Sequence, residues 1–342
     1  MTEFVTLEEI RSAKERIAGV AVRTPLYRVE RARLRMAKIA EPEFDLYIKA
    51  ESEQPIGSFK LRGAYNMVSQ QTPEALKRGV ITYSSGNHAQ GVAYAARALG
   101  AKAVIVMPSN APEVKKAATR ALGAEIVEVG PASSERYSKA VELVEKFGYA
   151  MIPPYDAREI IAGQGTCGLE IVEQLPDVDL VISPVSGGGL LSGVATAVKL
   201  AAAAALAKPD VKVWGAEPEL AADAHESFYS KTLVEWPAEK TTRTIGDGLR
   251  TQSLGALNFE HVLKYVDGIV RVKEEEILSA MRVMLSATKL VPEPSGAVAL
   301  AAALYHAHEL PSANKVAVVL SGGNLDPALR ERLECELMER VG

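Results

Sequence analysis

Lys60 lies in "PIGSFKLRGA" (55–64), between Phe59 and Leu61 and directly behind a Gly-Ser pair. A lysine in such an apolar run has two readings. Either a helix begins at Ser58 and Lys60 points from its first turn at water, or the amine is desolvated and able to form a Schiff base with a carbonyl. The ten residues alone leave both open. A second stretch, "YSSGNHAQG" (83–91), sets Ser84, Ser85, Asn87 and His88 between a strand and a helix start. Capping a helix needs one such residue. Four polar groups in five positions suit a carboxylate or a ring oxygen, with helix N-terminal N–H groups beside them.

Two glycine-rich turns follow strands, "SGGGLLSG" (186–193) and "SGGN" (321–324). Three successive glycines are costly to order. They let the backbone close on an anion at the positive end of the next helix, so the first turn reads as a phosphate cradle. The lysine of a Walker loop is missing, which disfavours nucleotide triphosphate hydrolysis. Gly187, Gly189 and Gly193, with Glu217 ending a later strand, also fit a nicotinamide-dependent oxidoreductase, but that reading leaves Lys60 and the 83–91 turn unexplained. "AEPELAAD" (216–223) offers Glu217, Asp223 and the carbonyl of Ala221 on an expected loop. The trio suits a hard cation, but by spacing alone it reads as solvated surface acids. His88, His225, His261, His306 and His308 lack the spacing of a histidine-based metal site.

These residues need elements to hold them. Short apolar runs alternate with helical stretches, the pattern of a parallel sheet covered by helices. Strands are expected at 79–84, in "AKAVIVMP" and in "AEIVEVG", with helices over 88–100 and 112–123 between them. "RALGA" recurs at 97 and 120, marking two successive helix–strand units rather than a solenoid. A second series starts near residue 160, with strands in "VDLVISPV", "VKVWGAEP" and "KVAVVL" and helices after the 186–193 turn and through "KLVPEPSGAVALAAALYHA". Residues 218–250 read as surface loop and short helix. The N-terminus reads as an amphipathic helix, with Thr6 and Glu9 at capping-box spacing.

The bulk numbers exclude whole classes. A chain of 342 residues with 48% hydrophobic and 24% charged residues is globular, and long enough for about two domains. A net charge of −4 with no basic run argues against a nucleic-acid partner. No apolar stretch reaches membrane-spanning length and no signal peptide is visible, so the reading is a cytoplasmic protein with no membrane partner. Cys167 and Cys335 are too few for a disulfide framework or a thiolate metal site.

"GSFKLRGA", "SSGNHAQG", "SGGGLLSG" and "SGGN" occur in that order, and over about residues 6–330 the chain resembles the fold-type II pyridoxal-phosphate enzymes. The likeness is to the serine/threonine dehydratase and serine racemase branch, related to the tryptophan synthase β-chain fold. It implies an α/β molecule of two three-layer domains with a cleft between them. Residues 1–74 and 154–342 would form the large cofactor-binding domain and 75–153 the small one. Pyridoxal 5′-phosphate would be held covalently by Lys60, with Phe59 and Asn87 at its ring and 3-oxygen. Ser186, Gly187, Gly188, Gly189 and Leu190 would surround its phosphate, and Ser321 its pyridine nitrogen. Ser84, Ser85, Asn87 and His88 would hold the substrate carboxylate. Lys60 would take the Cα proton, and Ser85 stands where the racemases keep an acid on the opposite face. Glu217, Ala221 and Asp223 become a divalent site for Mg²⁺, with Ca²⁺ or Mn²⁺ as alternatives.

The reaction implied is loss of water from L-threonine or L-serine, giving a 2-oxo acid and ammonia. A serine at the ring nitrogen makes a modest electron sink, which favours prompt loss of the β-substituent. Hydroxide must be protonated as it leaves, and the cofactor phosphate is the family's proposed acid. Arg136, in "SSERYSK", matches an arginine that meets a distal carboxylate in relatives using 3-hydroxyaspartate. A 3-hydroxyaspartate ammonia-lyase and a serine racemase therefore stand as second readings. The resemblance also implies a homodimer or homotetramer. Pro55, Ile56 and Ser186 depart from the common pattern, and Pro55 argues against the nucleotide effector site of animal serine racemases. No regulatory domain follows, so isoleucine feedback through one is not expected.

Overall fold

The expected parallel pairing is present, divided between two sheets. The computed structural model describes residues 4–36, 42–130 and 133–341; Met1–Glu3, the charged start of the chain, lie outside them. Ten strands run β1 (Leu26–Arg28), β2 (Asp45–Ala50), β3 (Val80–Tyr83), β4 (Ala103–Pro108), β5 (Glu125–Val129), β6 (Ala150–Met151), β7 (Leu180–Pro184), β8 (Lys212–Pro218), β9 (Gly268–Val272) and β10 (Lys315–Leu320). One sheet is ordered β1-β2-β10-β7-β8-β9, the other β5-β4-β3-β6. All pairs are parallel except the β1–β2 edge.

Each sheet is apolar on both faces, as a parallel sheet covered by helices must be. Val181, Val213, Ala317 and Val319 join one buried cluster, while Leu180, Ile182, Val316, Val318 and Leu320 join another. In the smaller sheet Val80, Ile105 and Met107 face one cluster, and Ile81, Val104 and Val106 face the other. The period-2 alternation of strands produces two three-layer arrangements.

Register places the loops. Ala50 pairs with Leu320, and β10 pairs in turn with β7, so β2, β10 and β7 end side by side. The segments that follow them are "PIGSFK", "SGGN" and "SGGGLLSG". Three motifs far apart in sequence thus emerge outside the carboxyl ends of adjacent strands, where open α/β sheets bind ligands.

Some expectations need correction. Residues 218–250 are short helix and loop as expected, but not all surface: the helix Asp223–Ser230 buries Asp223, Ala224 and Phe228. Glu217 belongs to β8, Ala221 to a short 3₁₀ turn and Asp223 to that helix, so the proposed cation ligands do not share one loop. The mostly helical stretch expected over 289–307 is the helix Pro294–Tyr305, with Pro294 opening it. The capping box is present, the Glu9 N–H donating to Thr6 Oγ1 at 3.2 Å and the Thr6 N–H to Glu9 Oε2 at 2.8 Å. Cys167 is buried and Cys335 exposed. Among the described residues, no helix is long and apolar enough to cross a membrane.

Candidate functional site

The helix Lys60–Val68 starts at Lys60 itself, with Phe59 as its cap. Its start is tied to the SGGN turn: the Phe59 N–H donates to Ser321 O at 3.0 Å, and Ser58 bridges to Gly322. Behind it, Arg62 is fully buried and forks twice. Its guanidinium donates to Glu51 at 2.7 and 2.8 Å and to Glu170 at 2.8 and 2.9 Å. Lys49 completes the buried network on Glu170 at 2.6 Å. Two cations and two anions fix the helix start against β2 and the helix Arg158–Gln174.

Lys60 Nζ therefore has a defined direction. It donates to Pro154 O at 2.7 Å and lies 5.2 Å from the centre of the Phe59 ring. Desolvation lowers the amine from 10.5 to about 8. At mildly alkaline pH a substantial share is free base, the form that attacks a carbonyl. Both opening readings of Lys60 hold in part: it is in the first turn of a helix, and it is desolvated.

The 186–190 turn is shaped for a close backbone approach. A Cβ on Gly187 would sit 2.6 Å from the Tyr155 ring, so that ring packs where only glycine leaves room. Ser186 has φ 57°, a left-handed conformation that glycine would adopt without strain. Its hydroxyl offsets this by donating to Gly248 O at 3.1 Å. Gly189 and Leu190 open the helix Gly189–Ala203, whose first N–H groups face outward from the turn. Asn258, one of the residues sequence reasoning missed, donates to Gly187 O at 3.0 Å and Tyr155 O at 3.2 Å.

Ser84 and Ser85 are half-buried in the turn after β3. The helix Asn87–Ala98 begins there without a side-chain cap, so its first N–H groups are available to an anion. Asn87 donates through Nδ2 to Glu293 Oε1 at 2.7 Å and accepts through Oδ1 from Asn324 Nδ2 at 2.7 Å. Its amide is thereby oriented, and one Nδ2 hydrogen remains to donate. Burial pushes the Glu293 carboxyl up to about 8, with Asp247 adding to the rise. Glu293 and Asn324 were also missed. An acid between two prolines in the apolar "LVPEPSGAVAL" was the available signal for Glu293. His88 is buried, and its Nε2 lies 3.0 Å from Ile152 O.

Glu217 and Asp223 come together in the interior. Glu217 Oε2 accepts from the His225 N–H at 2.9 Å, while Glu217 Oε1 and both Asp223 oxygens are buried with no hydrogen-bond partner. Burial raises both carboxyls, Asp223 to about 7, and Asp223 adds to the rise at Glu217. Three orphaned acceptor oxygens beside the buried Ala221 fit a hard cation. No larger cluster of metal-binding side chains occurs among the described residues. Arg136 is half-buried on the helix Ser133–Phe147, and burial lowers its guanidinium. Its neighbour Tyr137 meets Tyr83 edge-on at 5.2 Å.

Comparison with known proteins bears on the same span of chain. The family model described as pyridoxal-phosphate dependent enzyme matches residues 17–322. The L-threonine ammonia-lyase of Thermotoga maritima is 42% identical over 332 residues, covering 96% of this chain and 78% of that one. The L-threo-3-hydroxyaspartate ammonia-lyase of Saccharomyces cerevisiae is 39% identical over 281 residues, covering 82% and 83%. Among solved structures, maize serine racemase superposes with a TM-score of 0.88 at 35% identity, covering 99% of each chain.

Proposed function

The chain belongs to the family of pyridoxal-phosphate-dependent enzymes, and from that premise we propose that it removes water from L-threonine and L-serine to give a 2-oxo acid and ammonia. The observation that carries the reading is Lys60, a desolvated amine at a helix start that is tied to the SGGN turn. The residues fit pyridoxal phosphate. The 186–190 turn has glycine where a Cβ would strike Tyr155, and a helix start to face the phosphate. Asn87 keeps one amide hydrogen for the ring oxygen, and Phe59, Lys60, Leu190 and Ser321 complete the set. When bound, the cofactor withdraws electrons from the substrate Cα, so that its proton becomes acidic.

The chain's own groups do the rest. Lys60 Nζ anchors the cofactor and, once free, takes the Cα proton as a neutral amine. The N–H groups opening the Asn87 helix, with the Ser84 and Ser85 hydroxyls, bind and orient the substrate carboxylate. Ser85, at the position where the racemases keep the opposite-face acid, is the second proton carrier and gives a route to slow racemisation. Glu217, Asp223 and the Ala221 carbonyl hold Mg²⁺, Ca²⁺ or Mn²⁺, which would relieve the orphaned oxygens. We assign residues 75–153, which contain the whole smaller sheet, to a substrate-side domain, and 1–74 with 154–342 to the cofactor domain. The assembly is a homodimer or homotetramer.

A second reading, 3-hydroxyaspartate as substrate, is favoured by Arg136. A guanidinium that burial has partly desolvated binds a second carboxylate strongly. Release of 2-oxo acid from L-threonine, L-serine and 3-hydroxyaspartate, measured side by side with pyridoxal phosphate and Mg²⁺, separates the two. Fast turnover of threonine and serine, unchanged in Arg136→Ala, supports the first reading. Preference for hydroxyaspartate that Arg136→Ala abolishes supports the second. No 2-oxo acid from any of the three defeats both.

A further inference from the structure

His88 is buried, and the mechanism so far gives its ring nothing to do. Its Nε2 lies 3.0 Å from Ile152 O, and a carbonyl only accepts, so Nε2 carries the hydrogen. The other nitrogen, Nδ1, is then a bare acceptor. It is buried and has no hydrogen-bond partner. Such a nitrogen cannot bind a carboxylate, which also only accepts. The carboxylate contact expected of His88 must therefore come from its backbone N–H, at the open start of its helix.

Three observations bring the His88 helix and Lys60 together. His88 and Gly91 lie three residues apart on one helix and share a face. On that face, a Cβ at Gly91 would stand 3.2 Å from the Lys60 carbonyl oxygen, so the two helix starts are in contact. Lys60 and His88 also hang from one short segment just after β6, Nζ on Pro154 O and Nε2 on Ile152 O, two residues apart. Lys60 is the charged group that acts on the ring. With burial as the larger cause, it lowers His88 to about 3, so the imidazole stays neutral throughout the working range.

We infer that Nδ1 of His88 is the resting place for the Lys60 ammonium: after Lys60 has taken the Cα proton, one of its N–H groups donates to Nδ1. This deepens the proposed function and rests on it. In the step itself, the substrate C–H bond breaks and its electron pair stays with the substrate. An N–H bond forms on Nζ, making an ammonium, and His88 accepts a hydrogen bond without taking the proton. Being uncharged, the ring steadies the ammonium without adding a repelling cation. His88 acts through Lys60 and is a positioning residue.

The test uses the full chain freed of cofactor and remixed with pyridoxal phosphate, following imine formation across pH. The midpoint reports the Lys60 amine and is expected near 8 in the wild type. Losing an acceptor for the charged form should lower the midpoint in His88→Phe by on the order of one pH unit. His88→Gln, whose Nε2 can donate to Ile152 O while its Oε1 accepts, should bring it back. In the reconstituted enzyme His88→Phe should lower kcat for threonine about tenfold with KM little changed. Nitrogen-15 NMR of histidine-labelled wild-type protein needs no fold-threatening change. The Nδ1 signal should shift as Lys60 titrates, with the ring still neutral, and the shift should vanish in Lys60→Ala. A flat Nδ1 signal, or a midpoint unmoved in a folded His88→Phe, overturns the inference. Absence of any imine at Lys60 in the wild type overturns the proposed function instead.

Discussion

A residue as small as Gly187 shows how narrowly the site is specified. The Tyr155 ring occupies the space a Cβ would need, and Asn258 clamps the Gly187 carbonyl from behind. Gly187→Ala must displace the ring or the turn. Its affinity for pyridoxal phosphate, measured by titration of the cofactor-free protein, should fall about tenfold or more, roughly 1.4 kcal/mol; unchanged affinity would remove this turn from the phosphate site. Sequence reading found the turn because three glycines in a row are conspicuous. Tyr155 and Asn258 were not legible, since a tyrosine and an asparagine carry no signal until a fold brings them against a turn. Ser186 was seen as a departure from glycine, and its left-handed backbone supplies the physical meaning of that departure.

Elements matter because they aim residues. The start of the Lys60 helix is held by Arg62, Glu51, Glu170 and Lys49, all buried. Burial alone would raise the Glu51 carboxyl, and the Arg62 guanidinium overrides this and holds it below its ordinary value. Taking one partner from such a network leaves an uncompensated buried charge. Glu170→Ala should cost about 3–5 kcal/mol in urea unfolding, whereas a loss under ~1 kcal/mol would mean that water satisfies the network. The same charges explain why β2 was missed: "DLYIKA" breaks the apolar pattern at Lys49, which is buried because Glu170 pairs with it. A second junction makes stability depend on pH. Burial works against protonation of His306, but its hydrogen bonds with Glu309 at 2.7 Å and Glu276 at 2.8 Å raise it above 6.5. The folded value exceeds the unfolded one, so this stabilisation is complete below the unfolded value and fades as pH rises through the folded one. His306→Gln should therefore lower the melting temperature more in mild acid than in alkali; an equal loss at both would contradict the charged pairing.

For the whole molecule, the strand order decides where chemistry can occur. Parallel strands were legible in the sequence from alternating apolar runs, but their division into two sheets was not. Nothing local tells β3 to pair with β6 rather than β7, whereas the family resemblance supplied the expected arrangement. The ends of β2, β10 and β7 lie side by side, and β8, which carries Glu217 near its end, neighbours β7. A cation there would tie β8 to the helix Asp223–Ser230. Mg²⁺ at a hundredfold excess over its Kd should stabilise the protein by about 2.7 kcal/mol, seen as a rise in melting temperature over chelator. Asp223→Asn should remove that rise, and in chelator it should melt higher than wild type because one buried, unpaired carboxylate is gone. A rise that survives Asp223→Asn would place the ion elsewhere.

The account stands on Lys60 being the covalent anchor. Borohydride reduction of the protein with pyridoxal phosphate, followed by peptide mapping, tests this most directly. The reduced cofactor should appear on the Lys60 peptide, with no visible Schiff-base absorbance in Lys60→Ala. A label on another lysine, or a Lys60→Ala protein with the same absorbance, would contradict it.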